Sequence, residues 1–122
     1  MHVEARMTNF PGNMEWVAEL IPDVAAKVAP FTVDTEEVDD ELVEVFTAEI
    51  RRLIGELQDG LGQDNGDMVR MASHSIKGMG GTMGLPEISV LGLEIEDLAK
   101  EDRLADAKPL VDALAEWLMT IL

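Results

Sequence analysis

Apolar residues recur every three or four positions through most of this 122-residue sequence. That spacing places them on one face of an α-helix, and it predicts four amphipathic helices. These are expected over residues 39–57, over residues 67–81, from Leu85 onwards, and from Asp106 or Pro109 to the end. Aromatic residues make up only 4% of the chain, so the core is expected to consist of aliphatic side chains and methionine. Because the connections are short, the predicted fold is all-α, an antiparallel up-down four-helix bundle.

An additional N-terminal helix is expected before the bundle. Apolar residues keep helical spacing over residues 13–28, although Pro22 lies in the middle, where its missing N–H disfavours a straight helix. We therefore expect either a kink or two shorter pieces. The predicted organisation is a leader with this accessory helix over residues 1–37, and the bundle over residues 38–122.

The composition excludes several kinds of chemistry. The chain has no cysteine, which excludes disulfides, cysteine-ligated zinc and thiol catalysis. Its formal net charge is −16, and proteins that bind nucleic acid need clustered lysine and arginine, so no nucleic-acid partner is expected. No apolar run of about 18 residues and no signal-peptide pattern occur, so we expect no membrane partner and a cytoplasmic location.

Two histidines occur in the sequence, and only one of them lies inside a predicted helix. His2 belongs to the N-terminal tail, whereas His74 belongs to the helix over residues 67–81. On a helical wheel drawn at about 100° per residue, the apolar side chains of that helix gather on one side. His74 falls nearly opposite their centre, so its ring is expected to face solvent. An exposed histidine without a function is the alternative interpretation.

Two cations share the predicted face of His74. Arg70 lies four residues before it and Lys77 three residues after it, and both spacings make surface neighbours on a helix. Neutral imidazole is nucleophilic near neutral pH and can hold a phosphoryl group on a ring nitrogen. In an otherwise acidic chain, Arg70 and Lys77 would offset the charge of such a group. A solvated surface lysine is the alternative interpretation of Lys77.

Glycines follow His74 at positions that cost helix stability. A glycine inside a helix is roughly 0.5–1 kcal/mol less favourable than alanine, so Gly78, Gly80 and Gly81 need a compensating reason. Gly78 and Gly81 lie on the His74 face, where the lack of a side chain would let a partner surface come close. Gly80 faces nearer the core, where close helix packing is the expected reason. A helix that ends near Gly80 or Gly81 is the other structural explanation.

A carboxylate on the next helix completes the candidate site. Glu96 lies at the edge of the apolar stripe of that helix. From there it can accept a hydrogen bond from one ring nitrogen of His74 and so fix the tautomer of the ring. An ordinary glutamate at the boundary of the core is the alternative interpretation.

The residues around His74 resemble those of the histidine-containing phosphotransfer (HPt) domain family. The segment His-Ser-Ile-Lys-Gly, followed by Gly-Thr-Met-Gly-Leu, is also similar to the phosphoacceptor domain of chemotaxis-type histidine kinases. The resemblance covers about residues 38–122. The matching residues are Ala72, His74, Ile76, Lys77, Gly78 and Gly84, with Ile95 and Glu96 on the next helix.

This resemblance implies a role for each residue of the site. His74 would be phosphorylated through Nε2, Lys77 would be the cation next to the phosphate, and Gly78 would leave clearance for a partner. Glu96 matches the glutamate that hydrogen-bonds the histidine in chemotaxis-type domains. Members of the family have no cofactor or metal of their own, so the partner is expected to supply Mg²⁺.

The function predicted from the sequence is that of a phosphorelay intermediate in two-component signalling. Such a protein is not an enzyme by itself. It would carry a phosphoryl group on His74 between a kinase or receiver aspartate and another receiver aspartate. Its partners would be response-regulator receiver domains or histidine kinases, docked on apolar residues such as Met71. The alternatives are the phosphoacceptor domain of a larger chemotaxis-type kinase, and a non-phosphorylated helical interaction module.

Overall fold

The computed structural model of the chain describes residues 14–28 and 40–121. Helices take up 86% of these residues, and no strand occurs among them. The prediction of an all-α fold is confirmed. In chain order the helices are α1 (Trp16–Leu20), α2 (Val24–Val28), α3 (Asp40–Gly62), α4 (Gly66–Thr82), α5 (Pro86–Lys100) and α6 (Leu104–Ile121).

The N-terminal segment forms two short helices, α1 and α2, on either side of Pro22. The expected interruption at this proline is therefore confirmed. Asn13, the first residue of the predicted helix, and the leader before it lie outside the described residues. The boundary drawn between residues 1–37 and 38–122 also falls outside them, and it stays a prediction.

The second helix of this N-terminal pair, α2, packs against α5. Val17 and Ile21 are buried in the core shared with the long helices. On the rim of the contact, the Lys27 ammonium binds the Glu94 carboxylate of α5. Helix α2 therefore covers one side of α5.

Helix α3 is longer than the sequence predicts. The predicted helix ends at residue 57 and is followed by a turn from Gly60, but α3 continues to Gly62. Gly60 is buried against α4, where an added Cβ would lie 2.7 Å from Cγ2 of Val69. This glycine therefore serves a contact between two helices, and it does not end the helix.

A short turn then reverses the chain into α4. Asp64 adopts a positive φ of 54°. Asn65 caps α4 by accepting a hydrogen bond from the N–H of Met68 at 3.1 Å, which satisfies one of the free N–H groups of the first turn. The observed helix α4 begins one residue before the predicted range 67–81 and ends one residue after it.

The last two helices begin in different ways. α5 opens with Pro86, as predicted, because a proline in the first turn loses no helical hydrogen bond. α6 begins at Leu104, earlier than the predicted Asp106 or Pro109. Just before it, Arg103 donates from Nε to the Asp106 carboxylate at 2.9 Å and accepts from the Asp106 N–H through its carbonyl. These two bonds close the first turn ahead of the proline.

The four long helices α3 to α6 surround a common core. Each contacts the next one along the chain, and α6 returns to contact α3. Their buried faces supply mainly leucine, isoleucine and valine, with one edge-to-face contact between Phe46 and Trp117 at a centroid distance of 6.4 Å. Among the helices that the structure describes, none is both long and apolar enough to cross a membrane.

The backbones of α4 and α5 come into direct contact at two glycines. A Cβ added to Gly92 would lie 2.6 Å from the backbone nitrogen of Lys77 and 2.8 Å from the carbonyl oxygen of Ser73. A Cβ added to Gly80 would lie 2.5 Å from the backbone nitrogen of Ser89. The Ser89 hydroxyl also donates to the Lys77 carbonyl at 2.7 Å. The packing interpretation of Gly80 is therefore confirmed.

Adding a methyl group at Gly92 is expected to push α4 and α5 apart. Because backbone atoms occupy the space, Gly92→Ala should lower the free energy of unfolding by about 1–3 kcal/mol. Gly55→Ala in α3 is the matched control, since a Cβ there meets no neighbouring atom within 4 Å. The control should gain roughly 0.5–1 kcal/mol from helix propensity. Urea denaturation measures both variants, and equal stability of the two would contradict the close contact.

Candidate functional site

The position of the His74 ring follows from the buried face of α4. Val69, Ala72 and Ile76 are almost fully buried, which fixes the rotation of the helix about its axis. His74 lies on the opposite side, and 65% of its side chain is exposed. The structure therefore places the ring at the surface, as the helical wheel predicts.

A single carboxylate links His74 to Lys77. Nδ1 of His74 lies 2.9 Å from Oε2 of Glu96, and Nζ of Lys77 donates to Oε1 of the same carboxylate at 2.9 Å. The structure thus brings together three residues that the sequence analysis singled out. An ionised carboxylate can only accept hydrogen bonds, so Nδ1 carries the proton in the neutral ring. Nε2 then keeps its lone pair.

Glu96 is nearly buried, with 4% of its side chain exposed, yet it lies among positive charges. Burial, the largest single influence on its pKa, raises that pKa. Hydrogen bonds from Lys77 and His74, with the charges of Lys77 and Lys100, together outweigh burial and hold the pKa of Glu96 below its ordinary value. The carboxylate is therefore ionised at neutral pH.

The close approach of α4 and α5 explains how Glu96 reaches His74. Gly92 lies one turn before Glu96 on α5, and its missing side chain lets the α5 backbone lie against Ser73 and Lys77. A carboxylate carried one turn further along α5 then falls beside the outward edge of α4. The site is thus assembled where two helices touch.

Three other predicted site residues lie around this group. Arg70 forms its ion pair with Asp67 at 3.9 Å, one turn earlier on α4. Gly78 is exposed, and a Cβ added there would meet no neighbouring atom within 4 Å. Gly81 is half-buried near the end of α4. The clearance expected at Gly78 stays a prediction, with open space on that side of the helix.

Lys100 is the member of the site that the sequence analysis missed. Its Nζ lies 3.8 Å from Oε2 of Glu96, the oxygen that also faces Nδ1 of His74. A signal was present, because Lys100 follows Glu96 by four residues and such pairs are neighbours on a helix. Gly92 was missed as well, since nothing in a single sequence says which glycine meets a second backbone.

An apolar surface borders the His74 face. Met71, one turn before His74, is 64% exposed, and Val45 on α3 is 61% exposed. Between α3 and α4 lies a groove of about 270 Å³. It is lined by Leu42, Val45, Phe46, Glu49, Ser75, Met79, Thr82 and Met83. Ser75 of this lining follows Met71 by four residues on α4 and is next to His74 in the sequence. Exposed apolar surface is typical of a place where another protein binds.

Within residues 14–28 and 40–121, no group of three or more acidic or histidine side chains is arranged to hold a metal ion. The chemistry that the arrangement can perform is that of a nucleophilic ring nitrogen at an open surface, with its other nitrogen held by a carboxylate. Because Nδ1 faces Glu96 and 65% of the His74 side chain is exposed, Nε2 is the ring nitrogen left open to a reaction partner. These features suit a carrier of an electrophilic group.

The comparisons with known proteins identify the family of this carrier. The family model of the Hpt domain matches residues 41–121, well over half of the chain. The chain therefore belongs to the Hpt domain family, whose members are phosphocarrier modules for histidine phosphotransfer in two-component signalling. Searches among curated proteins and among solved structures gave no match.

The lowered pKa of Glu96 predicts a pH-dependent contribution to stability. Because this pKa is lower in the folded than in the unfolded chain, the contribution is fully present above the ordinary value and is lost as the pH falls through the folded-state pKa. At pH 7, Glu96→Gln should therefore lower the free energy of unfolding by roughly 1–3 kcal/mol. That difference from the wild type should shrink as the pH falls from the ordinary pKa of glutamate towards pH 3, because the unfolded chain then takes up a proton more readily than the folded one.

The matched control for this measurement is Glu116→Gln, which alters an exposed glutamate of α6. Its free energy of unfolding should stay within about 0.5 kcal/mol of the wild-type value at each pH. Urea denaturation of the three proteins between pH 3 and pH 7 checks the expectation. A Glu96→Gln deficit that is the same at both ends of the range would contradict a depressed pKa.

Proposed function

We propose that His74 is the residue that accepts the phosphoryl group and passes it on. The observation that carries the proposal is the exposed ring, whose Nδ1 lies 2.9 Å from the buried Glu96 carboxylate. This contact directs the proton to Nδ1 and leaves the lone pair of Nε2 directed towards an incoming partner. The chain's other histidine, His2, lies outside the described residues.

The proposed step is an in-line displacement at phosphorus. The lone pair of Nε2 attacks the phosphorus of a receiver's aspartyl phosphate, and an Nε2–P bond forms while the P–O bond to aspartate breaks. The electron pair of the broken bond leaves on the aspartate carboxylate. The Nδ1 proton stays on the ring, which gains positive charge. Glu96 offsets this charge, so it stabilises the ring as the new bond forms.

The neighbours of His74 have supporting roles in this proposal. Lys77 follows His74 by three residues, so the two side chains are neighbours on α4, and the charge of Lys77 can offset that of the phosphoryl group. Arg70, one turn before His74, adds a second positive charge on that side. Gly78 leaves room for the partner, in keeping with the open space beside it. Mg²⁺ belongs to the partner's active site in this scheme, and the chain itself contributes no cofactor.

We also infer that α3 to α6 run alternately up and down as an antiparallel bundle. Two features support this topology. The connections between successive helices are short, and the contacts join each helix to the next and the last to the first. In such a bundle α4 and α5 are adjacent and antiparallel, which suits a site made from both.

The partners we propose are a response-regulator receiver domain and a histidine kinase, in the cytoplasm. The apolar surface formed by Met71, Val45 and the adjacent groove supports docking of a folded domain beside His74. Charge alone would not favour this encounter, since the chain carries −16 and receiver active sites are acidic. Docking is therefore expected to depend on apolar contact, with Lys77 and Arg70 facing the partner's carboxylates.

The contact between Glu96 and His74 favours one second candidate function. A glutamate at this position is a feature of the chemotaxis-type phosphoacceptor domains that the sequence resembles. In that case the chain would receive its phosphoryl group directly from the catalytic domain of a larger kinase. The chemistry at Nε2 would be the same, and only the donor would differ.

Phosphoryl transfer onto His74 is tested by mixing the protein with a phosphorylated receiver domain and Mg²⁺. The wild type should acquire an acid-labile, base-stable phosphoryl group, as expected for a phosphoramidate. His74→Gln should acquire none, whereas His2→Gln, the matched control at the other histidine, should be labelled like the wild type. A parallel reaction with a chemotaxis-type kinase and ATP distinguishes the second candidate. If neither donor labels the protein, the non-phosphorylated interaction module is favoured.

The docking surface is tested by placing a charge on it. Met71→Glu should lower kcat/KM for transfer from a phosphorylated receiver by about tenfold, because it puts a charged group into an apolar contact. Met119→Glu on α6 is the control, since Met119 is 72% exposed and not adjacent in sequence to the site. Both variants should keep the stability of the wild type within about 0.5 kcal/mol. Equal transfer rates for the two variants would rule out docking at Met71.

A further inference from the structure

Glu96 has a third neighbour that can be positively charged, besides the two residues that hydrogen-bond to it. Lys77 and His74 each lie at hydrogen-bond distance from one carboxylate oxygen. Lys100, one turn after Glu96 on the same helix, places its Nζ 3.8 Å from Oε2. That distance is too long for a hydrogen bond but short enough for an ion pair. Lys100 therefore stands beside an oxygen that His74 already uses.

The need for such a neighbour follows from the two roles of Lys77. In the described structure its ammonium donates to Oε1 of Glu96. A phosphoryl group on Nε2 of His74 would bring about two negative charges to the same helical face, one turn away from Lys77. If Lys77 turns to that group, a carboxylate with 4% exposure loses one of its two hydrogen-bond donors. An ionised carboxylate that is buried and poorly paired is unstable.

We propose that Lys100 is a positioning residue, which holds the Glu96 carboxylate in place on Nδ1 of His74 when Lys77 turns to the phosphoryl group. This inference rests on the proposed function of His74. The step that it describes is a movement of two side chains, with no bond made or broken. Lys100 acts on the reaction only through Glu96.

The surroundings of Lys100 leave it free to make this movement. Its side chain is 55% exposed. It lines an open recess of about 670 Å³ between the start of α4 and the end of α5, together with Arg70 and Asp67. A lysine has four rotatable bonds, so its ammonium can advance from 3.8 Å to hydrogen-bond distance without a shift of the backbone.

The electrostatics of Glu96 agree with this role. The groups that face its carboxylate are His74 and Lys77 from α4 and Lys100 from α5. Burial raises the pKa of Glu96 most strongly, while the two hydrogen bonds and the charges of Lys77 and Lys100 lower it. Lys100 is thus the one charge in this set that does not also form a hydrogen bond to the carboxylate.

The inference is tested on the exchange of the Nδ1 proton of His74 with water, measured by ¹⁵N-edited NMR. Three variants are compared with the wild type: Lys100→Met, Lys100→Arg, and Lys108→Met as the matched control. Lys108 makes a similar i,i+4 ion pair, with Asp112 on α6, at 2.8 Å. Each protein is examined in its resting form and after treatment with phosphoramidate, a small donor that needs no partner protein.

In the phosphorylated form, the Nδ1 proton of Lys100→Met should exchange about two- to fivefold faster than in the wild type, the change expected for losing one ion pair. In the resting form Lys100→Met should exchange no faster than the wild type, since Lys77 still holds Glu96. Lys100→Arg should restore the slow rate, and Lys108→Met should keep it. Loss of the Lys100 charge would by itself slow the exchange, because the ring then holds its proton more tightly. Faster exchange in Lys100→Met is therefore diagnostic.

Two results would overturn the inference, and only one of them would also overturn the proposed function. If wild-type His74 is phosphorylated but Lys100→Met exchanges like the wild type or more slowly, the role of Lys100 is wrong and the phosphocarrier function stands. If neither phosphoramidate nor a phosphorylated receiver labels His74, the proposed function and this inference fail together.

Discussion

The backbone contact between α4 and α5 is the constraint on which the site depends. At Gly92 the two helices approach so closely that a methyl group would lie within 2.6–2.9 Å of backbone atoms of Ser73 and Lys77. Glu96, one turn along α5, can then reach both His74 and Lys77 with a short side chain. A wider separation would leave this carboxylate facing the other helix without hydrogen-bond partners. A glycine in α5 therefore positions the hydrogen-bond partner of a histidine on α4.

Ionisation of a buried carboxylate at this position is unfavourable, above all in a chain with a net charge of −16, and the neighbouring cations compensate for it. Burial disfavours ionisation, and a lone buried Glu96 would take up a proton. A protonated carboxyl group could donate to Nδ1 instead of accepting from it, which would move the ring proton to Nε2 and remove the nucleophile. The cations Lys77 and Lys100 prevent this outcome by keeping the carboxylate ionised. The tautomer of His74 is thus set by residues that need not touch the ring.

Features that depend on one helix could mostly be predicted from the sequence, whereas most contacts between two helices could not. The face of α4 that carries His74 follows from the spacing of Val69, Ala72 and Ile76, and the break at Pro22 follows from its missing N–H. The end of α3 was predicted five residues early, because Gly60 was interpreted as the start of a turn, whereas it lies inside the helix and packs against α4. The candidate role of Glu96 came from the edge of an apolar stripe and from family resemblance. Lys100 was missed although its i,i+4 spacing from Glu96 is visible in the sequence, because the pair matters to the site only through the contact of Glu96 with His74 on α4.

The exposed half of the site suits the proposed function, in which His74 takes up a phosphoryl group from one partner and gives it to another. The chain holds Nδ1 beside a buried carboxylate, whereas 65% of the His74 side chain is exposed and a Cβ added to Gly78 would meet no neighbouring atom within 4 Å. In the proposed scheme the metal and the in-line geometry would come with the partner domain. Specificity would then depend less on the chemistry of His74 than on the apolar surface that we propose for docking, which includes exposed Met71 and Val45.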